Sequence, residues 1–250
     1  MRGWTTIYRR ELAGLFLSPL AWILFCGTWF YNAYFYLRFL EVDSRGVVDD
    51  ALQLTLGGAL PFWFLMLFLP PLLTMRMVSE EAKNGLLEFL LTAPVGDAAV
   101  ISGKALAATT FLALVWMCGP VFGLATHAFG ATPDWGGLAA ATLGAILVSG
   151  LFSALGLVWS TVFHTPLVSA FVAIVVNIVI LFLPVTLASA KLSPDGFLRD
   201  VIAKVDVVAN YQGSFQTGVI DTAHLVFFLA WTVTLVFLSV RLLERKRWLG

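Results

Sequence analysis

Charge is what this sequence has least of. Only 12% of its 250 residues are charged, where an ordinary soluble domain has about a quarter. A chain this apolar, with a mean hydropathy of +0.91, cannot hide its surface from water as a soluble globule. Net charge is zero, so bulk electrostatics points to no nucleic-acid partner. Cysteine is nearly absent too. Cys26 and Cys118 sit far apart inside apolar stretches, which excludes a disulfide framework and a paired metal motif. The three histidines, His127, His164 and His224, form no two-histidine helical motif, so a zinc protease is not supported. No short cleavable apolar leader with a small-residue cut site follows the basic N-terminus.

Six apolar runs fill most of the chain: 20–37, 57–75, 105–129, 138–163, 167–190 and 223–240. None contains Asp, Glu, Lys or Arg. Each suits a tilted membrane helix, which satisfies its own backbone in lipid. The missing intramembrane acids argue against a proton relay or an intramembrane enzyme. Ser149 and Ser153 are read as packing positions rather than nucleophiles. The prolines at 61, 70, 71, 120 and 184 are expected to kink or end helices, with Pro70-Pro71 bending the second span before its loop.

Basic residues orient the spans. With the N-terminus inside, ten of the fifteen Lys and Arg lie on the cytoplasmic side and five outside. Both termini are then cytoplasmic. Residues 1–19 form an interfacial helix, with Ile7, Tyr8, Leu12, Leu15 and Phe16 on one apolar side. Residues 76–104 are the one long cytoplasmic loop. Residues 188–222 are the longest external segment, read as short helices packed at the outer surface. The fold class is therefore an all-α membrane protein of six transmembrane helices in one domain, 1–250.

Gly103-Lys104 invites a phosphate-loop reading but fails it. Ala98 stands where the first glycine belongs, and Ala105 where Ser or Thr would hold magnesium. Gly119 and Gly123 form a GxxxG pair, and Gly144, Gly150, Ala154 and Gly156 add small positions; a seam within the chain and a seam between copies both fit. Asn32 and Asn177 are the clearest buried amides, placed to bond across helices or to line a polar path. In the loop, SEEAKNGLLEFLLTAP (79–94) reads as one amphipathic helix over 79–92. Glu80 and Glu81 lie in its first turn, where acids suit the helix dipole, and Pro94 stops it. Its acidic face looks to the cytosol, and it is read as a docking element for a soluble protein.

That loop also carries a resemblance. Glu80-Glu81-Ala82-Lys83-Asn84-Gly85-Leu86-Leu87-Glu88-Phe89-Leu90-Leu91-Thr92-Ala93-Pro94-Val95, with Asp97 and Gly103-Lys104 after it, is similar to the loop of ABC-2 type ATP-binding-cassette transporter permeases. The likeness is nearest the branch associated with gliding motility and nitrous-oxide-reductase maturation. Leu86 stands where the family pattern has threonine. Arg10-Glu11-Leu12 with Ser18-Pro19, and Phe215-Gln216-Thr217-Gly218-Val219-Ile220-Asp221, are further matches.

The resemblance implies a non-catalytic permease subunit of the bacterial inner membrane, in a dimer with a second copy or a paralogue. A separate cytoplasmic ATPase would use ATP and Mg2+, and this chain would bind no cofactor. The loop would be the coupling helix, docking through Glu80, Glu81, Asn84, Gly85, Leu87, Glu88, Leu91 and Pro94, and the interfacial helix would be an elbow. Asn32 and Asn177 would lie near a translocation path or the dimer seam. The apolar spans suit a hydrophobic or lipid-linked substrate among the membrane lipids. The alternative is a mechanotransmitter that acts on a periplasmic accessory protein and transports nothing.

Overall fold

The computed structural model describes residues 2–42, 48–86, 95–189 and 204–249. Among them every regular element is helical. In chain order these are α1 (Arg2–Leu17), α2 (Pro19–Val42), α3 (Val48–Gln53), α4 (Leu60–Thr74), α5 (Ser79–Lys83), α6 (Asp97–Trp116), α7 (Cys118–Ala128), α8 (Trp135–Val162), α9 (Pro166–Ser189), α10 (Val207–Gln212) and α11 (Thr222–Leu249). A π-helical turn (Leu54–Gly58) joins α3 to α4, and a 3-10 turn (Phe215–Thr217) follows α10. Five helical stretches among the described residues are long and apolar enough to cross a membrane. A sixth is reached only when α1 and α2, bent by 70° at Ser18, are taken together. The run at 20–37 falls short alone because Trp22, Trp29, Tyr31, Asn32, Tyr34 and Tyr36 dilute its hydropathy. The chain is a multi-pass membrane protein.

α8 is the centre of the bundle. Most of its apolar window, 83%, is buried, against 28% for α9 and 17% for α11. Small residues make this possible by letting neighbours approach its backbone. A Cβ at Gly144 would come within 2.6 Å of Phe215, and one at Gly156 within 2.2 Å of the Thr74 hydroxyl. The GxxxG pair also packs inside the chain. Gly119 meets Leu56 and Thr142, and Gly123 meets Leu138 and Trp135.

Three boundaries differ from those read in the sequence. The helix of the second span begins at Leu60 and continues past Pro70 and Pro71 to Thr74. A proline leaves the carbonyl four residues back without its helical donor. Here the Asn177 amide reaches the Leu67 carbonyl, four residues before Pro71, at 3.5 Å. The third span starts earlier, at Asp97, and breaks at Met117 between α6 and α7, where Pro120 has no N–H for the Trp116 carbonyl.

The chain ahead of α4 is also broken. Its real break is the π-helical turn, where Gly57 has φ +134°. The Tyr211 ring sits against that glycine. The Tyr211 hydroxyl donates to the Leu56 carbonyl and lies 3.1 Å from the Ala141 carbonyl. Burial pushes the Tyr211 phenol above its ordinary value. The segment after α10 is pinned in turn by Ser214, whose hydroxyl donates to the Val219 carbonyl at 2.6 Å and accepts from the Asp221 N–H at 3.1 Å. The stretch from Phe215 to Asp221 is thus a folded cap on the α10 end of the bundle.

Gly57→Ala tests this cap. Its Cβ would stand 2.0 Å from the Tyr211 ring at a backbone angle that L-residues avoid. A loss of about 2–4 kcal/mol is expected, read as a lower thermal midpoint in detergent. Gly27→Ala, on an open helical face, should leave the midpoint unchanged. Equal midpoints for both would show that Tyr211 does not clamp the turn.

Candidate functional site

The loop that drew attention in the sequence is tied down by a charge cluster at the α1 end of the bundle. Its middle is Lys104 on α6, whose side chain is 0% exposed. An ammonium has three donors, and Lys104 places all three. Its Nζ lies 3.0 Å from Glu11 Oε1 on α1 and 2.9 Å from Glu81 Oε1 on α5, and it donates at 2.7 Å to the Met77 carbonyl ahead of α5. Arg10 closes the cluster, with Nη2 at 2.5 Å from Glu11 Oε1 and 2.8 Å from Glu81 Oε1. Burial by itself would lower the Arg10 pKa, but the Glu11 and Glu81 carboxylates hold it above its ordinary value. Two cations and two carboxylates balance, which is what lets charge sit out of water.

Local sequence explains how α1 comes so close. Gly103, one residue before the lysine, leaves room for the α1 backbone, since a Cβ there would come 3.1 Å from Ile7 and 3.4 Å from the Tyr8 nitrogen. The Trp4 indole N–H then donates to Ser102 at 3.0 Å, and the Tyr8 hydroxyl donates to Thr110 at 3.2 Å. Phe16 packs its ring edge-on to Phe111. α1 therefore lies along α6, with its apolar side inward.

The first turn of α5 is held from outside. A helix start leaves backbone N–H groups without partners. Ser160, near the end of α8, accepts from the Val78 and Ser79 N–H groups, each at 3.1 Å, and donates to the Met75 carbonyl at 3.0 Å. α5 then stops at Lys83. Asn84 ends it, and Gly85 takes the left-handed conformation with φ +70°, as glycine commonly does just past a helix end. The single helix expected over 79–92 is therefore interrupted at Gly85.

The docking residues named from the sequence separate into three groups. Glu81 does not look outward; its side chain is 18% exposed and belongs to the Lys104 cluster, because the buried lysine draws it in. Glu80 is half-exposed and lies 3.9 Å from Arg76, while Asn84 is exposed and Gly85 is partly so; Leu86, outside that set, is exposed as well. Leu87, Glu88, Leu91 and Pro94 lie outside the described residues. Asn32 and Asn177 are both buried within the chain, at 2% and 0%. Asn32 donates back to the Thr28 carbonyl of its own helix at 2.9 Å, and Asn177 meets α4.

Sequence reasoning missed Glu11, Lys104 and Ser160 as partners of the loop. Glu11 and Lys104 stood inside matched motifs, yet nothing local pairs them. Ser160 had no signal at all, since it caps a helix 81 residues away from it in the chain. The histidines take bland roles: His127 contacts the Ala131 carbonyl at 3.2 Å and His224 the Asn210 side chain at 2.8 Å. Among the described residues no group of His, Cys, Asp or Glu could hold a metal ion.

One protein-family model, described as ABC-2 family transporter protein, matches residues 48–240. No curated protein matches the chain. The matched stretch holds α5, Lys104 and Ser160, whereas Arg10 and Glu11 precede it.

Lys104→Met should strand the Glu11 and Glu81 carboxylates against one half-exposed arginine. Breaking a buried pair from one side costs about 3–5 kcal/mol, so a clear drop in thermal midpoint is expected. Exchanging all three residues together (Lys104→Met, Glu11→Gln, Glu81→Gln) should recover part of that loss. A single variant as stable as the parent would show that water, not the carboxylates, solvates the lysine.

Proposed function

This chain belongs to the ABC-2 family of transporter proteins, and on that premise we propose how it works as the membrane subunit of an ATP-binding-cassette transporter. A family member of this kind is a membrane transport component that works with an ATPase partner. In our reading the loop from Ser79 to Pro94 is where that ATPase docks. Glu80, Asn84, Gly85 and Leu86 form the exposed part of the contact, and Leu87, Glu88, Leu91 and Pro94 continue it. The ATPase uses ATP and Mg2+, and this chain binds no cofactor of its own.

The observation that carries this reading is the Lys104 cluster. A push on α5 cannot be absorbed locally, because Glu81 is held by Lys104 and Arg10, and the start of α5 by Ser160. Displacement passes into α6 through Lys104, into α1 through Glu11, and into α8 through Ser160. α1 is then an elbow that moves with the loop. The α1 end faces the cytoplasm of a bacterium, and both termini lie on that side, in keeping with the charge asymmetry. The subunit works as a dimer with a second copy or a paralogue.

A hydrophobic or lipid-linked substrate fits the apolar spans. A cavity of about 550 Å³ between α4 and α9 supports it, lined by Leu60, Trp63, Phe64, Leu67, Leu181 and Phe182 among others. A second reading is a mechanotransmitter that drives a periplasmic partner. It is favoured by the tight packing around α8 and by Asn32, whose amide is spent on its own helix instead of a polar path.

Two variants separate docking from transmission. Glu80→Lys with Leu86→Asp should lower co-purification of the ATPase by about ten-fold, a change of about 1.4 kcal/mol, with membrane insertion intact. Lys104→Met with Glu11→Gln and Glu81→Gln, which removes the cluster without stranding a buried charge, should leave the ATPase bound and abolish the effect of the membrane subunit on ATP hydrolysis. Undiminished co-purification in the first would refute the docking surface, and undiminished stimulation in the second the transmission route.

A further inference from the structure

The seam between α4 and α9 is amphipathic along its length. At the α5 end it opens into a cavity of about 530 Å³ whose floor includes Leu167, Phe171 and Ile174. Arg76 and Lys83 stand at its mouth. Lys83 is exposed and makes no ion pair among the described residues, and Arg76 has only Glu80, at 3.9 Å. The rim therefore carries two cations against one carboxylate. The floor is apolar and open to the bilayer, with Leu167 80% and Phe171 67% exposed.

Further along the same two helices lies the second, almost wholly apolar cavity that ends at Leu181 and Phe182. Asn177 is buried between the two. From Pro166 to Phe182 the seam runs about 24 Å at the rise of a helix.

We propose that this seam binds a membrane lipid with an anionic headgroup, its phosphate at Arg76 and Lys83 and its chain over Leu167, Phe171 and Ile174. The class follows from what each alternative leaves unmet. A soluble anion would pair the cations and leave the apolar floor bare. A neutral hydrocarbon would cover the floor and leave the cations without a partner. A basic pocket between membrane helices near one membrane face is a recognised seat for anionic headgroups. A phosphate between an arginine and a lysine gains charge-assisted hydrogen bonds from both. Glu80, 3.9 Å from Arg76, leaves the rim one net positive charge, enough for a single phosphate. The inference deepens the permease reading, on which it rests for what the bound lipid is used for.

The test is native mass spectrometry of the delipidated full-length chain. It is titrated with phosphatidylglycerol and, separately, with phosphatidylcholine of the same acyl chains. The chain should bind the anionic lipid on the order of ten-fold more tightly. Arg76→Gln with Lys83→Gln should remove that preference. Arg241→Gln with Arg245→Gln, on α11, should retain it. Should the double variant lose its fold, Lys83→Gln alone, at an exposed position, should still lower the preference several-fold, and the swap Arg76→Lys with Lys83→Arg should keep it. Equal affinity for both lipids, or a full preference surviving the loss of both cations, overturns the proposal. So does a disulfide between two copies through Phe171→Cys in a Cys26→Ser, Cys118→Ser background, because a second copy would then cover the seam. No ATP or ATPase enters the measurement, so its failure leaves the docking and transmission reading standing, and a failure of docking leaves the lipid result standing.

Discussion

A lysine ammonium taken wholly out of water has to be surrounded by acceptors, and much of this molecule is arranged around that demand. Lys104 sits on α6, but α6 supplies it with nothing. Its three acceptors come from α1, from α5 and from the turn before α5. An uncompensated charge at that depth would be prohibitive. The cluster therefore forces three separate parts of the chain to meet. α1 must lie along α6, which Gly103 permits. α5 must turn Glu81 inward, which removes that residue from the outer surface. A buried ion cluster of this kind is weak evidence for net stability. What it does is tie α1, α5 and α6 together at one point.

The same logic of satisfying freed polar groups recurs through the bundle. Proline and glycine interrupt several helices in a medium where a bare carbonyl or N–H is expensive. Several of these interruptions have a partner from elsewhere in the chain. Asn177 approaches the Leu67 carbonyl below Pro71, Tyr211 reaches the Leu56 carbonyl at the π-helical turn, the Trp22 indole donates to the Phe16 carbonyl at the α1–α2 bend, and Ser160 caps α5. These contacts divide the molecule mechanically. The α10 end is locked by aromatic packing around Tyr211 and Phe215. The α1 end is locked by charge. Charge pairs respond to a docking partner in a way that packed rings do not, which makes the α1 end the natural place for an external push to enter.

The lipid-binding seam stands beside that point of entry. Arg76, Glu80 and Lys83 flank the cavity on one side, and Glu81 joins the Lys104 cluster on the other. A partner seated on the loop would touch the same short helix that frames the headgroup site. Docking and lipid occupancy would then be linked through five residues of α5, without any long-range pathway.

The helical membrane class and the apolar runs that build it were legible in the sequence. Each is a sum over neighbouring residues: hydropathy over a window. The family followed from the same local text. What the sequence did not show was direction. Glu81 looked like an outward acid, and Lys104 like the remnant of a failed phosphate loop. Whether a charge faces water or a buried counter-ion, and whether a proline leaves its carbonyl bare, depends on residues that arrive from 23 to 110 positions away. Local composition determined which segments leave water. Only the tertiary structure decided which polar groups meet inside, because hydrophobic burial is additive along the chain and the pairing of charges and carbonyls is not.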